Sequence, residues 1–201
     1  VLLQKVFTFV ENASKKKFTS YVLTGLTKQN PTLSEHSVNV ANIALYISMY
    51  LGHSHPLVLE NVYMGALFHD YGVTKIPARV QGNINSVAYN KFYKQHPELG
   101  VKYLKRLPNL PKQVLSIVEE HHEQFDGKGF PQAKKGYEIY ELAQIVSIAN
   151  TFDNICTKHS KKDKYTMYNQ ALKTLKYDRN KKFNADFLAP IIEALSKAYL
   201  K

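Results

Sequence analysis

Glu119–Pro131 reads EEHHEQFDGKGFP. Two adjacent imidazoles end a stretch with helical spacing (Val114, Ile117, Val118, His121), and a glycine-rich turn closed by proline follows. Neighbouring side chains on a helix point about 100° apart, so a His-His pair serves packing poorly. At a helix end the pair can instead reach one metal, provided that other elements bring further ligands.

Working outward, the chain reads as helices ending or starting in metal-binding side chains. One stretch covers roughly 2–28. A second follows NPTLS, runs from Glu35 to Leu51 and stops at Gly52, with His36 one turn before Val40 on its apolar stripe. A third opens at Pro56, a favoured first helical position, and ends in His69 and Asp70 near Gly72. A fourth begins near Ser86 and breaks at His96-Pro97, where a new helix over 97–107 starts. A fifth follows LPNLP and ends in His121 and His122. A sixth runs from Glu141 to about Thr157, and one or two more fill 165–200. Residues 73–85 and 123–140 read as loops. No alternating apolar pattern and no Asn-Gly hairpin occurs, so the expected class is all-α, with about seven or eight helices. Residues 1–30 form an N-terminal helical segment, a candidate linker from an upstream domain, and 31–201 form one domain.

Bulk composition narrows the chemistry. The net charge of +11 in 201 residues favours an anionic partner. Its basic clusters at 15–17, 134–135, 161–164 and 179–182 read singly as solvated surface. No interleaved aromatic and basic surface points to nucleic acid. One cysteine, Cys156, excludes an internal disulfide framework and suits a reducing, cytoplasmic compartment. It has no base beside it in sequence and reads as a small buried hydrophobe. No apolar run approaches the roughly 18 residues of a membrane span.

A lone inward histidine is ordinarily a satisfied core residue. His36, His69-Asp70, His96 and His121-His122 at four helix termini are harder to explain as packing. Imidazole suits iron, manganese, zinc and nickel, and one carboxylate can bridge two cations. A water shared by two metals becomes a nucleophile suited to phosphodiesters.

These residues resemble the HD-GYP branch of the HD superfamily of metal-dependent phosphohydrolases. The likeness spans about 36–165, through HSVNVANIALYISMYLG, GALFHDYG, QHPELG, HHEQFDGKGFP and GYEIYELAQIVSIANTFDNI. It implies an HD-domain helical bundle around a dinuclear centre that hydrolyses cyclic di-GMP by attack of a metal-bridging hydroxide. His36, His69, Asp70, His96, His121 and His122 would be metal ligands, with Asp70 as bridge. The implied cofactors are two metal ions, iron or alternatively manganese. Gly127 and Gly129 would let the following loop bend toward the ligand, and Asp126 would fix its turn.

Four positions depart from the family's pattern. The Gly-Tyr-Pro tyrosine is Phe130, which can wall the substrate pocket but donates no hydrogen bond. The usual lysine after the His-Asp pair is Val73, with Lys75 two residues on as the candidate catalytic charge. The last metal-binding aspartate falls on Asn150, with Asp153 three residues later as the alternative. A glutamate that serves a third metal is Thr32, so two metals are expected. The family's phosphate-gripping positions fall near His159, Lys161 and Lys162. The alternative to an enzyme is a catalytically weak or inactive receptor that keeps the metal cage and binds a cyclic dinucleotide or a signalling protein. A nucleotide phosphohydrolase or a di-iron oxygenase is disfavoured by the His121-His122 pair and its Gly-Phe-Pro loop.

Overall fold

The computed structural model describes residues 17–83 and 85–200. Ten α-helices cover them: α1 (Lys17–Gln29), α2 (Pro31–Tyr50), α3 (Pro56–Phe68), α4 (Ala78–Gln81), α5 (Val87–Lys94), α6 (His96–Leu104), α7 (Lys112–Glu120), α8 (Glu141–Lys158), α9 (Lys164–Tyr177) and α10 (Ala185–Tyr199). No strand occurs among the described residues; Arg179 and Phe183 form one isolated bridge. The all-α expectation holds. The count exceeds seven or eight because 73–85, read as loop, holds the single-turn α4 and the C-terminal stretch holds both α9 and α10; a 3-10 turn (Tyr71–Lys75) also runs into the 73–85 stretch. The loop at 123–140 likewise contains a 3-10 turn at Gly136–Glu138. Residues 1–16 of the expected first helix lie outside the described residues. No described helix is long and apolar enough to cross a membrane.

Helix starts follow local chemistry. Asn30 caps α2 by accepting from the Thr32 amide at 3.0 Å, and Pro31 fills the first position. The helix therefore opens one turn earlier than the expected Glu35. Ser86, Asp163 and Asn184 cap α5, α9 and α10 in the same way.

The centre of the fold is α3 against α2, with α7 and α8 alongside. Val62 through Phe68 are all buried, so the C-terminal half of α3 is enclosed on every side rather than amphipathic, while Pro56 and Leu57 at its start are exposed. That enclosure carries the next two residues, His69 and Asp70, into the interior. Each fully buried large apolar side chain stabilises the fold by about 1.5–3 kcal/mol. An unpaired buried carboxylate costs several kcal/mol. One neighbour such as Phe68 therefore cannot offset Asp70, which requires positive partners of its own.

Close backbone approach sets the remaining geometry. Gly72 rests on the first turn of α6; a Cβ there would stand 1.8 Å from the His96 carbonyl oxygen and 2.6 Å from the Gly100 nitrogen. Gly72→Ala is expected to destabilise by about 1–3 kcal/mol or more, since backbone must move. Gly82→Ala, in open space at φ −65°, is expected to be neutral or to stabilise by about 0.4–1 kcal/mol. Denaturant midpoints of the two variants check the contrast.

Candidate metal centre

The helix ends determine the tautomers of three imidazoles. His69 Nδ1 lies 2.6 Å from the Ala66 carbonyl, and His121 Nδ1 lies 2.8 Å from that of Val118. His96 Nδ1 makes the same contact with Tyr93. A carbonyl only accepts, so each Nδ1 carries the hydrogen and each Nε2 is left with a lone pair.

Those lone pairs converge on Asp70. Its Oδ1 is 3.1 Å from His96 Nε2 and 3.9 Å from His121 Nε2. Its Oδ2 is 3.4 Å from His69 Nε2 and 3.9 Å from His36 Nε2. Two groups of ligand-type atoms result, each with all members within 4.8 Å of one another: Asp70, His96, His121 and His122; and His36, His69 and Asp70. Asp70 belongs to both and turns a different oxygen to each.

His69 Nε2, His122 Nε2 and Asp70 Oδ1 are buried and make no hydrogen bond. His96 Nε2 faces His121 Nε2 at 3.2 Å, lone pair to lone pair, which is unfavourable without a positive charge between them. Orphaned nitrogens around a buried carboxylate, with Nδ1 of His69, His96 and His121 held by backbone, suit a divalent first-row metal. Burial first of all pushes the His121 imidazole well below its ordinary pKa, and drives His122 to about 3, so both stay neutral.

From α8, Asp153 Oδ2 contacts His36 Nδ1 at 2.7 Å, on the ring nitrogen turned away from Asp70. Burial works against protonation of His36, but Asp153 and Asp70 prevail and raise its pKa. Asp153 stands in neither ligand group. Asn150 also reaches His36, while its Oδ1 accepts from Asn154 at 2.6 Å.

The loop after His122 returns over it. A Cβ on Gly129 would fall 2.5 Å from the His122 carbonyl oxygen, and the Phe130 amide donates to that oxygen at 3.2 Å. The Phe130 ring stacks on His122 at 4.5 Å and 25°. Asp126 accepts from the Lys128 amide, as the turn chemistry led one to expect. Lys75 is not brought to the centre: its ammonium lies over the rings of Tyr71 (4.6 Å) and Tyr103 (5.0 Å). His159 ends α8, and Lys161 and Lys162 follow it exposed.

Three residues escaped sequence reasoning. Glu123 accepts from the Gln132 and Lys134 amides at 2.7 and 2.9 Å, while Glu120 binds the Lys134 ammonium and the Tyr140 amide. Both are buried, and they tie the loop down. Acidic residues flanking His-His before a loop rich in free amides were the available signal. Tyr93 is the third, its ring 4.7 Å from His96.

Buried neutral imidazoles give the metal-free protein a pH dependence. The unfolded chain binds protons at His121 and His122 near pH 6.5, whereas the folded chain does not. Their contribution is complete above pH 6.5 and is lost as pH falls toward 3. His36, raised, opposes this with one group against two. The unfolding midpoint of chelator-treated protein should drop between pH 7.5 and 5, and His122→Gln should flatten that slope. A midpoint that rises on acidification contradicts the account.

The sequence profile of the family described as HD domain matches residues 22–187. The cyclic di-GMP phosphodiesterase response regulator RpfG of Xanthomonas campestris is 31% identical over 132 residues, 64% of this chain and 34% of that one. The 3'3'-cGAMP-specific phosphodiesterase 2 of Vibrio cholerae is 31% identical over 139 residues, 66% of this chain and 26% of its own. The chain thus spans about a third or less of these relatives. Among solved structures, Bd1817, an HDG"Y"P protein from Bdellovibrio bacteriovorus, superposes with a TM-score of 0.67 at 25% identity, covering 84% of this chain and 52% of that one. Profile, helical architecture and buried His-Asp centre agree, and the chain belongs to the HD domain family.

Proposed function

We propose that the chain carries a centre for two divalent metal ions and hydrolyses a cyclic dinucleotide, with cyclic di-GMP as first choice. One observation carries this: Asp70 turns one oxygen to His96 and His121 and the other to His36 and His69, with unused Nε2 atoms around it. The named substrates of the two relatives support the class, both being cyclic dinucleotides that contain guanine. Iron is the proposed metal, with manganese as alternative; Thr32, engaged with Asn30, offers no third carboxylate. When bound, such ions supply Lewis acidity toward phosphoryl oxygens and lower the pKa of water.

The chain's own residues divide the remaining work. His36, His69, His96, His121 and His122 would hold the ions, with Asp70 belonging to both ligand groups. Asp153 grips the far nitrogen of His36 and fixes that ring; Asn150, with its carbonyl taken by Asn154, completes the same support. Phe130 walls the centre above His122 and excludes water there. Lys161 and Lys162 would offer positive charge, and His159 a ring nitrogen, to the substrate's second phosphate from the end of α8. Lys75 would have to leave two aromatic faces, each contact worth about 0.5–1 kcal/mol, so we assign it to packing.

A second reading has a specific observation behind it. The cavity of about 270 Å³ that opens on Asp70 is lined by Asn30, Leu33, Val73, Ile76, Gln81, Tyr89 and Tyr93, without a cation. A receptor that binds a cyclic dinucleotide and turns it over slowly fits that lining. The protein loaded anaerobically with Fe(II), or with Mn(II), should convert cyclic di-GMP to linear dinucleotide or GMP. Asp70→Asn should lose both ions by elemental analysis and lower turnover by about 10³-fold or more. Binding without product selects the receptor; metal-loaded protein that neither binds nor cleaves the dinucleotide removes both readings.

A further inference from the structure

The cavity that opens on Asp70 has a polar group with no role so far. Tyr89 and Tyr93 stand one turn apart on α5, with rings stacked at 6.0 Å and 20°. The Tyr93 ring also packs at 4.7 Å against His96 and 5.9 Å against His122, so it borders one ligand group directly. Tyr93 and Asp70 line the same cavity, and burial first of all, with the Asp70 charge beside it, raises the pKa of the phenol.

The cavity's other donors are few and uncharged: the Tyr89 phenol, the Asn30 amide, and the Gln81 amide, which already donates to the Ile76 carbonyl at 2.6 Å. Leu33, Val73 and Ile76 make the apolar part of the cavity, and Phe130, the aromatic residue over His122, has no hydroxyl. Lys75, the nearest lysine in sequence to Asp70, is turned onto Tyr71 and Tyr103. A phosphate arriving at Asp70 would therefore meet few groups able to donate to its oxygens. A phenol keeps its hydrogen at neutral pH and donates from a stem with only two side-chain torsions, so little freedom is lost on binding. Stacking on Tyr89 and contact with His96 restrict it further.

We propose that the Tyr93 hydroxyl is a catalytic hydrogen-bond donor to a phosphoryl oxygen of the substrate, serving where neither position 73 nor position 130 offers a donor. This rests on the hydrolytic reading above. No bond to Tyr93 forms or breaks; its O–H hydrogen bond strengthens as negative charge grows on the phosphoryl oxygen. Its backbone carbonyl separately orients His96, so the residue acts twice, and Tyr93→Phe separates the two roles because the backbone is unchanged.

The experiment compares wild type, Tyr93→Phe and Tyr89→Phe, each loaded with Mn(II), for kcat and KM on cyclic di-GMP, metal per chain and unfolding midpoint. Tyr93→Phe is expected to lower kcat by about 10²-fold, the usual cost of one donor aimed at developing charge. Metal per chain and midpoint should stay at wild-type values, KM should move far less than kcat, and Tyr89→Phe should be the milder variant. Tyr93→Phe with wild-type kcat overturns this inference alone. Lost rate accompanied by lost metal or a lowered midpoint also overturns it, since the phenol would then only support His96. A metal-loaded wild type without turnover overturns the hydrolytic reading and this inference together.

Discussion

A buried carboxylate shared by two sets of imidazoles is the constraint on which the rest of this structure depends. Asp70 is nearly inaccessible, and an isolated charge at that depth is too costly to persist. Four imidazoles face it through nitrogens that backbone hydrogen bonding or Asp153 has left free of protons on the inner side. A cation in its middle would meet these lone pairs together. In the absence of a cation, two lone pairs meet at 3.2 Å and three polar atoms have no hydrogen bond.

Much of the surrounding architecture serves to deliver these groups. The enclosed C-terminal half of α3 carries His69 and Asp70 inward. Gly72 lets the chain pass against the first turn of α6, which brings His96 beside them. The end of α7 supplies His121 and His122, and Gly129 allows the returning loop to lie on the His122 carbonyl. Glu120 and Glu123 then bind that loop through four contacts between 2.7 and 2.9 Å, two of them from each carboxylate. These carboxylates are buried yet fully partnered, unlike Asp70. Buried acids in the same region thus do two kinds of work, and the hydrogen-bond inventory tells them apart.

The distribution of positive charge carries the functional question. The chain has a large cationic surplus, yet the cavity at Asp70 is lined by phenols, amides and aliphatic groups. The nearby lysine is spent on aromatic faces. Charge at the surface can draw an anion in, but at the centre its oxygens would depend on bound metal and on uncharged donors. Under the proposed hydrolysis, the rate would rest on a small number of hydroxyl and amide groups, not on net charge.

The sequence alone determined the all-helical class, the helix ends at 69–70 and 121–122 and the start at 96 that bear ligand-type residues, and the glycine-rich turn after His122. Helical spacing, proline starts and glycine stops are local signals, and they suffice for these. His36, expected at a helix start, lies in the second turn of α2, and the stacking of Phe130 on His122 belongs to the tertiary structure. Only the tertiary structure decided which oxygen of Asp70 faces which imidazole, that Asp153 holds His36 from outside, that Lys75 is sequestered, and that Tyr93 lines the cavity. The same holds for the extra turns within 73–85 and for the carboxylates that anchor the 123–140 loop. Periodicity reports how deeply one face of an element is buried. Which atoms meet across elements depends on how closely helices approach and on which buried polar groups must find partners, and neither is written in the spacing of a single segment.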